Sequence, residues 1–314
     1  MRRSAGRNGA AASLLAGLVL MGAFVPGAAL GQPAPPPPPA AGLAASLATA
    51  NARIAVWAIP DIDLLPDDEN GRLVRYGRSV LEESARHIGP DAADPAQRFA
   101  GNNLACANCH LDAGRKKFGL PLVAAAADYP RYSTRSGERA ELADRVDSCM
   151  TRSMNGRAMP RDARPMRALL AYLTLLSSAL PKDANIAGAG AGAIPLLDRP
   201  ADPARGAVVY AQTCVVCHRS GGEGLRRNAV DASFGYGGPP LWGPDSFNDG
   251  AGMSRLITIA NFVHGNMPNG VSWVMPVLAP EDAWDVAAYV ASQKRPHRAG
   301  LDRVACGVDL GRLQ

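Results

Sequence analysis

Cys106-Ala107-Asn108-Cys109-His110 returns 108 residues later as Cys214-Val215-Val216-Cys217-His218. Both stretches are C-x-x-C-H, the pattern that attaches a c-type haem. Two thiols add across the two vinyl groups of one porphyrin, and the adjacent histidine is held beside the iron as an axial ligand. A thioredoxin-like redox pair needs no following histidine, and a zinc site needs no such order in duplicate. The spacing predicts one haem per domain and two covalently bound haems in all, through Cys106, Cys109 and His110 and through Cys214, Cys217 and His218.

Other features repeat around the motifs in the same order. Gly206 to Tyr210 opens a short helical segment before the second motif, and Gly77 with Val80 and Leu81 takes that place before the first. A Pro-Leu pair follows each motif, Pro121-Leu122 and Pro240-Leu241. The carbonyls of these prolines are expected to orient the axial histidines, a contact that tunes ligand basicity. Each half then ends in an amphipathic helix, Pro165 to Leu176 and Pro280 to Val290. Leu169, Tyr172, Leu173 and Leu176 follow the i, i+3, i+4, i+7 spacing of a buried stripe, and Pro280, Glu281 and Asp282 suit a helix start. Tyr172 and Tyr289 read as core residues. No strand pattern stands out, so the predicted fold is all-α, two tandem cytochrome c-like haem domains joined by a linker. Residues 51–184 form the first domain, 185–200 the linker, 201–297 the second domain and 298–314 a tail.

The 314 residues are 47% hydrophobic, 19% charged and 5% aromatic. That apolar share excludes a wholly disordered chain. Residues 1–31 read as a cleavable signal peptide, with a basic start at Arg2, Arg3 and Arg7 and an apolar run from about Ala10 to Val25. Residues 32–50, rich in Pro and Ala, read as a disordered tether. The expected mature protein is periplasmic and not membrane-spanning. Without the three arginines of the signal it carries 30 basic and 28 acidic groups, no signature of nucleic-acid binding.

A six-coordinate iron needs a second axial ligand. In the second half Met253, Met267, Met275 and His264 are candidates, and Met267, before Pro268 on a loop ahead of the last helix, is favoured. His264 reads as a partly exposed polar residue. In the first half spacing alone favours Met159, also followed by proline, while Cys149 offers a strongly donating thiolate. Cys149 could equally pair with Cys306, the one other cysteine outside the motifs. Nine arginines and five acids lie between Arg131 and Arg167. They read either as a solvated helix face or as a site for an oxyanion, which arginine grips through its rigid fork of donors.

Several segments carry a resemblance. They are Gly101-Asn-Asn-Leu-Ala-Cys-Ala-Asn-Cys-His-Leu-Asp-Ala-Gly114, Asp144-Arg-Val-Asp-Ser-Cys-Met-Thr-Arg-Ser-Met-Asn-Gly156, Ala201-Asp-Pro-Ala-Arg-Gly206, Pro239-Pro-Leu-Trp-Gly-Pro244 and Asn266-Met-Pro-Asn-Gly270. From about Trp57 to Pro296 the chain resembles the dihaem thiosulfate dehydrogenases that form tetrathionate. The resemblance implies His110 and Cys149 as ligands of a catalytic first haem, and His218 and Met267 as ligands of a second haem that passes electrons to a cytochrome-type acceptor. It places the substrate residues at Arg135, Arg145 and Ser153. Some members carry a competing lysine ligand just before the methionine; here that position is Asn266, so no lysine switch is expected. The implied reaction joins two thiosulfates into tetrathionate and is reversible. The alternatives are a non-catalytic electron-transfer subunit, with Met159 or Met154 on the first iron, and a sulfur-oxidation cytochrome acting on a carrier protein's cysteine.

Overall fold

The computed structural model describes residues 54–55, 57, 59–133, 137–182 and 184–299. The signal segment, the tether, Arg135 and Cys306 lie outside the described residues.

Each half is organised by a pair of helices that cross at a glycine. In the first half Asp68 caps helix α1 (Glu69–Glu82), its side chain accepting from the Gly71 amide at 2.7 Å. After short helical turns at Ser84–Ile88 and Leu111–Gly114 come α2 (Leu142–Met150) and α3 (Arg164–Ser177), which has Pro165, a residue pre-set for a first helical turn, at its start. α1 and α3 meet where Gly77 faces Ala168: a Cβ on Gly77 would lie 2.0 Å from the Ala168 carbonyl oxygen. The second half repeats the arrangement. Asp202 caps α4 (Pro203–Thr213), α5 (Leu256–Asn266) follows, and α6 (Pro280–Ser292) carries Glu281 and Asp282 in its first turn. Here the crossing glycine is Gly206, whose Cβ would fall 1.9 Å from the Asp285 carbonyl oxygen. The two glycines that repeat in the sequence thus mark the points where backbones touch. Gly206→Ala is expected to lower stability by about 2 kcal/mol or more through overpacking, read from urea unfolding.

The predicted stripe of α3 is buried, with Leu169, Tyr172, Leu173 and Leu176 in the first core against Val74, Val80 and Leu81 of α1. Tyr172 donates its hydroxyl to the Ala113 carbonyl at 2.8 Å, so its polar end is satisfied. The second core gathers Tyr210, Ile259, Trp284, Val286 and Val290, with Tyr289 packed beside it. Asp285, fully buried, anchors this half. It receives a two-pronged grip from Arg199 at 2.9 and 2.8 Å, Arg205 Nε at 3.0 Å and the Asp202 amide at 2.8 Å.

The fold is helical but not all-α. Short two-stranded ladders pair β1 (Ile54–Ala55) with β4 (Asn185–Ile186), β2 (Arg131–Ser133) with β3 (Glu138–Ala140), and β5 (Leu225–Arg226) with β6 (Tyr236–Gly238). At two or three residues each they leave no alternating pattern to read. Residues 185–200 run as a packed strap. Gly188 and Gly190 accept from the Phe118 and Leu120 amides at 2.7 and 3.0 Å, and Gly192, at φ +80°, lies against the Trp273 ring. Further along, Asn261 accepts from the Ile194 amide at 3.0 Å. The halves share the first core as well, since Tyr236, Phe247 and Ala251 of the second are buried in it. Among the described residues no helix is long and apolar enough to cross a membrane.

Candidate functional site

The first motif turns on itself. Asn108 Oδ1 accepts from the Ala105 amide at 2.8 Å, the His110 amide bonds the Cys106 carbonyl at 2.9 Å, and Ser84 Oγ accepts from the Cys106 amide at 3.0 Å. The second motif closes the same way, His218 N to the Cys214 carbonyl at 2.9 Å. Each histidine is then fixed by a carbonyl. His110 Nδ1 donates to Leu120 O at 2.6 Å and His218 Nδ1 to Pro239 O at 2.7 Å. The expectation placed these carbonyls on Pro121 and Pro240; in both halves the carbonyl belongs to the preceding residue. The proline's own nitrogen is part of that peptide unit, so the Pro-Leu pair marks the loop while the oxygen sits one residue upstream. With Nδ1 committed as a donor, Nε2 of each ring is left for a metal.

Cys149 lies at the end of α2. Burial pushes its thiol up, but His110, Arg145 and Arg152 together outweigh this and bring it down to about 7. Cys106, Cys109 and Cys214 behave oppositely. Burial pushes Cys106 and Cys214 up to about 11 and Cys109 up to about 12, and the nearby Cys149 adds to the rise at Cys106 and Cys109. One histidine, two attachment thiols and an acidified third thiol therefore share a single locus. That donor set fits a c-type haem, which Cys106 and Cys109 would attach and for whose iron His110 and Cys149 would be available. Cys149 is a free thiol.

The competing ligands have other environments. Met150, Met154 and Met159 are buried in the first core, and the Met159 amide donates to Asp147 Oδ1 at 2.9 Å. In the second half Met267 follows the last residue of α5, its amide bonded to Val263 O at 2.9 Å, whereas Met275 is 74% exposed. His264 is buried, not partly exposed as expected. It donates Nδ1 to Leu278 O at 2.9 Å and packs edge-on to Trp273. Asn266 joins the halves, its amide donating to Phe118 O at 2.9 Å and Phe262 O at 3.1 Å.

Most of the arginine cluster is engaged locally. Arg161 bridges Asp144 and Asp147, Arg131 approaches Asp128, and Arg157 and Arg164 lie over Phe99 and Tyr76. Arg145, exposed one helical turn before Cys149, acts electrostatically on it, and Ser153 is half-buried in the following turn. Arg152 was not singled out by sequence. It is 4% exposed, donates Nε to Ser148 O at 2.8 Å and acts electrostatically on Cys149. Its place in Arg-Ser-Met-Asn-Gly was the available signal. His87 and His297, without a role in the sequence, are bonded to Ser79 Oγ at 2.7 Å and Asp249 Oδ2 at 2.5 Å.

The two halves match known families. Residues 96–181 match the SoxA/TsdA cytochrome c domain, and residues 201–290 match a family described as cytochrome c oxidase, cbb3-type, subunit III. A thiosulfate dehydrogenase of Thiomonas intermedia is 38% identical over 237 residues, 76% of this chain and 70% of that protein. One of Allochromatium vinosum is 37% identical over 242 residues, 76% of this chain and 84% of that protein. The solved thiosulfate dehydrogenase TsdBA of Marichromatium purpuratum superposes with a TM-score of 0.70 at 33% identity, covering 82% of this chain and 54% of that one, so the chain spans about half of that longer protein. The chain belongs to the thiosulfate dehydrogenase family and is an oxidoreductase built from two tandem cytochrome c domains.

Proposed function

We propose that the chain, exported to the periplasm, joins two thiosulfate ions through their sulfane sulfurs into tetrathionate and passes the two released electrons to a cytochrome-type acceptor. The observation that carries this reading is the pairing of Cys149 with His110 beside Arg145 and Arg152. His110 and Cys149 would hold one haem and His218 and Met267 another. Bound there, c-type haem supplies electron uptake and transfer.

The chain's own residues supply the rest. Arg145, with Arg135, would bind sulfonate oxygens and offset the repulsion between two dianions, the main electrostatic obstacle to bringing them together. Cys149, released as a thiolate, would join the sulfane sulfur of one thiosulfate as two electrons leave for the acceptor, and the sulfane sulfur of the second thiosulfate would then displace the Cys149 thiolate to give tetrathionate. Ser153 offers a hydroxyl donor to a sulfonate oxygen. The same groups serve tetrathionate reduction when electrons are supplied.

The direct test is the purified haem-loaded protein with thiosulfate and ferricyanide, with tetrathionate as the expected product. Ferricyanide reduction without tetrathionate would count against the reading.

A further inference from the structure

The turn after Cys149 has its carbonyls held from outside. Within the turn the Arg152 and Met154 amides both bond the Cys149 carbonyl, at 3.2 and 3.1 Å. Of the carbonyls that follow, Arg152 O also accepts from the Asn155 amide at 3.2 Å and Met154 O from the Gly101 amide at 2.8 Å, while those of Thr151 and Ser153 meet two buried asparagines. Asn102, 0% exposed, donates Nδ2 to Ser153 O at 3.0 Å and to Ser246 O at 3.2 Å. Asn248, 2% exposed, donates Nδ2 to Thr151 O at 3.0 Å and to Asn155 Oδ1 at 3.1 Å, while its backbone amide bonds Arg152 O at 3.2 Å. Its Oδ1 accepts from the Gly250 amide at 3.1 Å, which fixes the amide plane. Asn102 belongs to the first haem-binding half, four residues before Cys106. Asn248 belongs to the second.

We infer that Asn248 is a positioning residue for the thiosulfate site: the second haem-binding half supplies the donors that set the turn carrying Cys149, Arg152 and Ser153. The inference rests on the function proposed above. A buried carbonyl that loses its donor shifts to recover a partner. A displacement of about 1 Å in a reacting group lowers rates by about a hundredfold. The electron-transfer half therefore also shapes the site it serves, and the first half alone lacks one side of this clamp.

Asn248→Ala tests this in the haem-loaded enzyme, with Tyr236→Phe as the control. Tyr236 bonds Asp245 at 2.5 Å, and Asp245 in turn accepts from the Asn103 amide at 3.0 Å, so this variant loosens the same interface without touching the turn. In Asn248→Ala, kcat on thiosulfate is expected to fall about ten- to hundredfold. The first-haem near-infrared magnetic circular dichroism signature of His/thiolate ligation becomes mixed, and the second-haem potential is unchanged. Tyr236→Phe stays within about twofold of the parent. Asn248→Ser, which keeps one donor, should fall between, and it serves if the alanine variant does not mature. Activity within about twofold of the parent with an unaltered first-haem spectrum, in whichever Asn248 variant matures, overturns the inference. So does a Tyr236→Phe loss equal to that of Asn248→Ala. If the unsubstituted enzyme did not oxidise thiosulfate, the proposed reaction would fall, and the first-haem spectrum would still decide the role of Asn248.

Discussion

Replacing Cys149 by glycine is expected to remove thiosulfate turnover by on the order of a thousandfold or more while both haems stay attached. Cys106, Cys109, His110, Cys214, Cys217 and His218 are untouched, so on the proposed reading pyridine haemochrome analysis should still find two haems per chain. The substitution deletes the thiol that, among the described residues, its surroundings bring down to about 7. Arg145 and Arg152 remain, so the loss belongs in kcat far more than in KM. The glycine lies near the end of α2, where helix propensity accounts for only about 1 kcal/mol. Steady-state kinetics with thiosulfate and ferricyanide, with a near-infrared spectrum of the oxidised protein, give the reading. Turnover retained to within about tenfold would remove Cys149 from the chemistry.

Asp285→Ala should lower stability by about 3 kcal/mol, near the lower end for breaking a buried ion pair. The carboxylate is fully buried and serves Arg199, Arg205 and the Asp202 amide at once. Its removal leaves the amide without an acceptor and sets two guanidinium groups side by side. Both arginines reach solvent in part, which limits the loss. The hydrogen bond from Arg199, the largest cause, holds the Asp285 carboxyl below its ordinary range against the opposing effect of burial. A group depressed on folding adds stability that is present above its unfolded pKa and lost as pH falls through the folded value. The parent should therefore lose this contribution only in strong acid, and the variant should show a correspondingly smaller acid dependence. Urea unfolding of both proteins at neutral and acid pH checks the pair of expectations. Equal midpoints at neutral pH would show that the network adds nothing.

The repeat was legible because attachment chemistry fixes residue order and helix crossings fix residue size. C-x-x-C-H tolerates little variation, and Gly77 and Gly206 have no substitute where a carbonyl oxygen lies about 2 Å from the would-be Cβ. The stripe of α3 was legible for the same reason of periodic burial. What escaped was set by partners far apart in the chain. His264 looked solvent-facing because nothing local announces that Leu278 O and Trp273 enclose it. The short ladders escaped because their registers are tertiary, Ile54 against Asn185 for instance. Arg152 was hidden by an arginine-rich neighbourhood in which burial, not residue type, separates it from Arg161. Asn248 carried no signal at all, since an isolated asparagine in a loop shows its meaning only when Thr151 and Asn155 lie beside it.

The strap at 185–200 has a practical consequence for dissecting the protein. Leu120 O aligns His110, and the Leu120 amide is itself tied to Gly190 O. A gene truncated after residue 184 encodes every ligand of the first motif, yet it lacks the acceptors that seat Phe118 and Leu120. A truncation after residue 192 retains them. The acceptors that seat the loop beside His110 thus lie inside what looks like spacer.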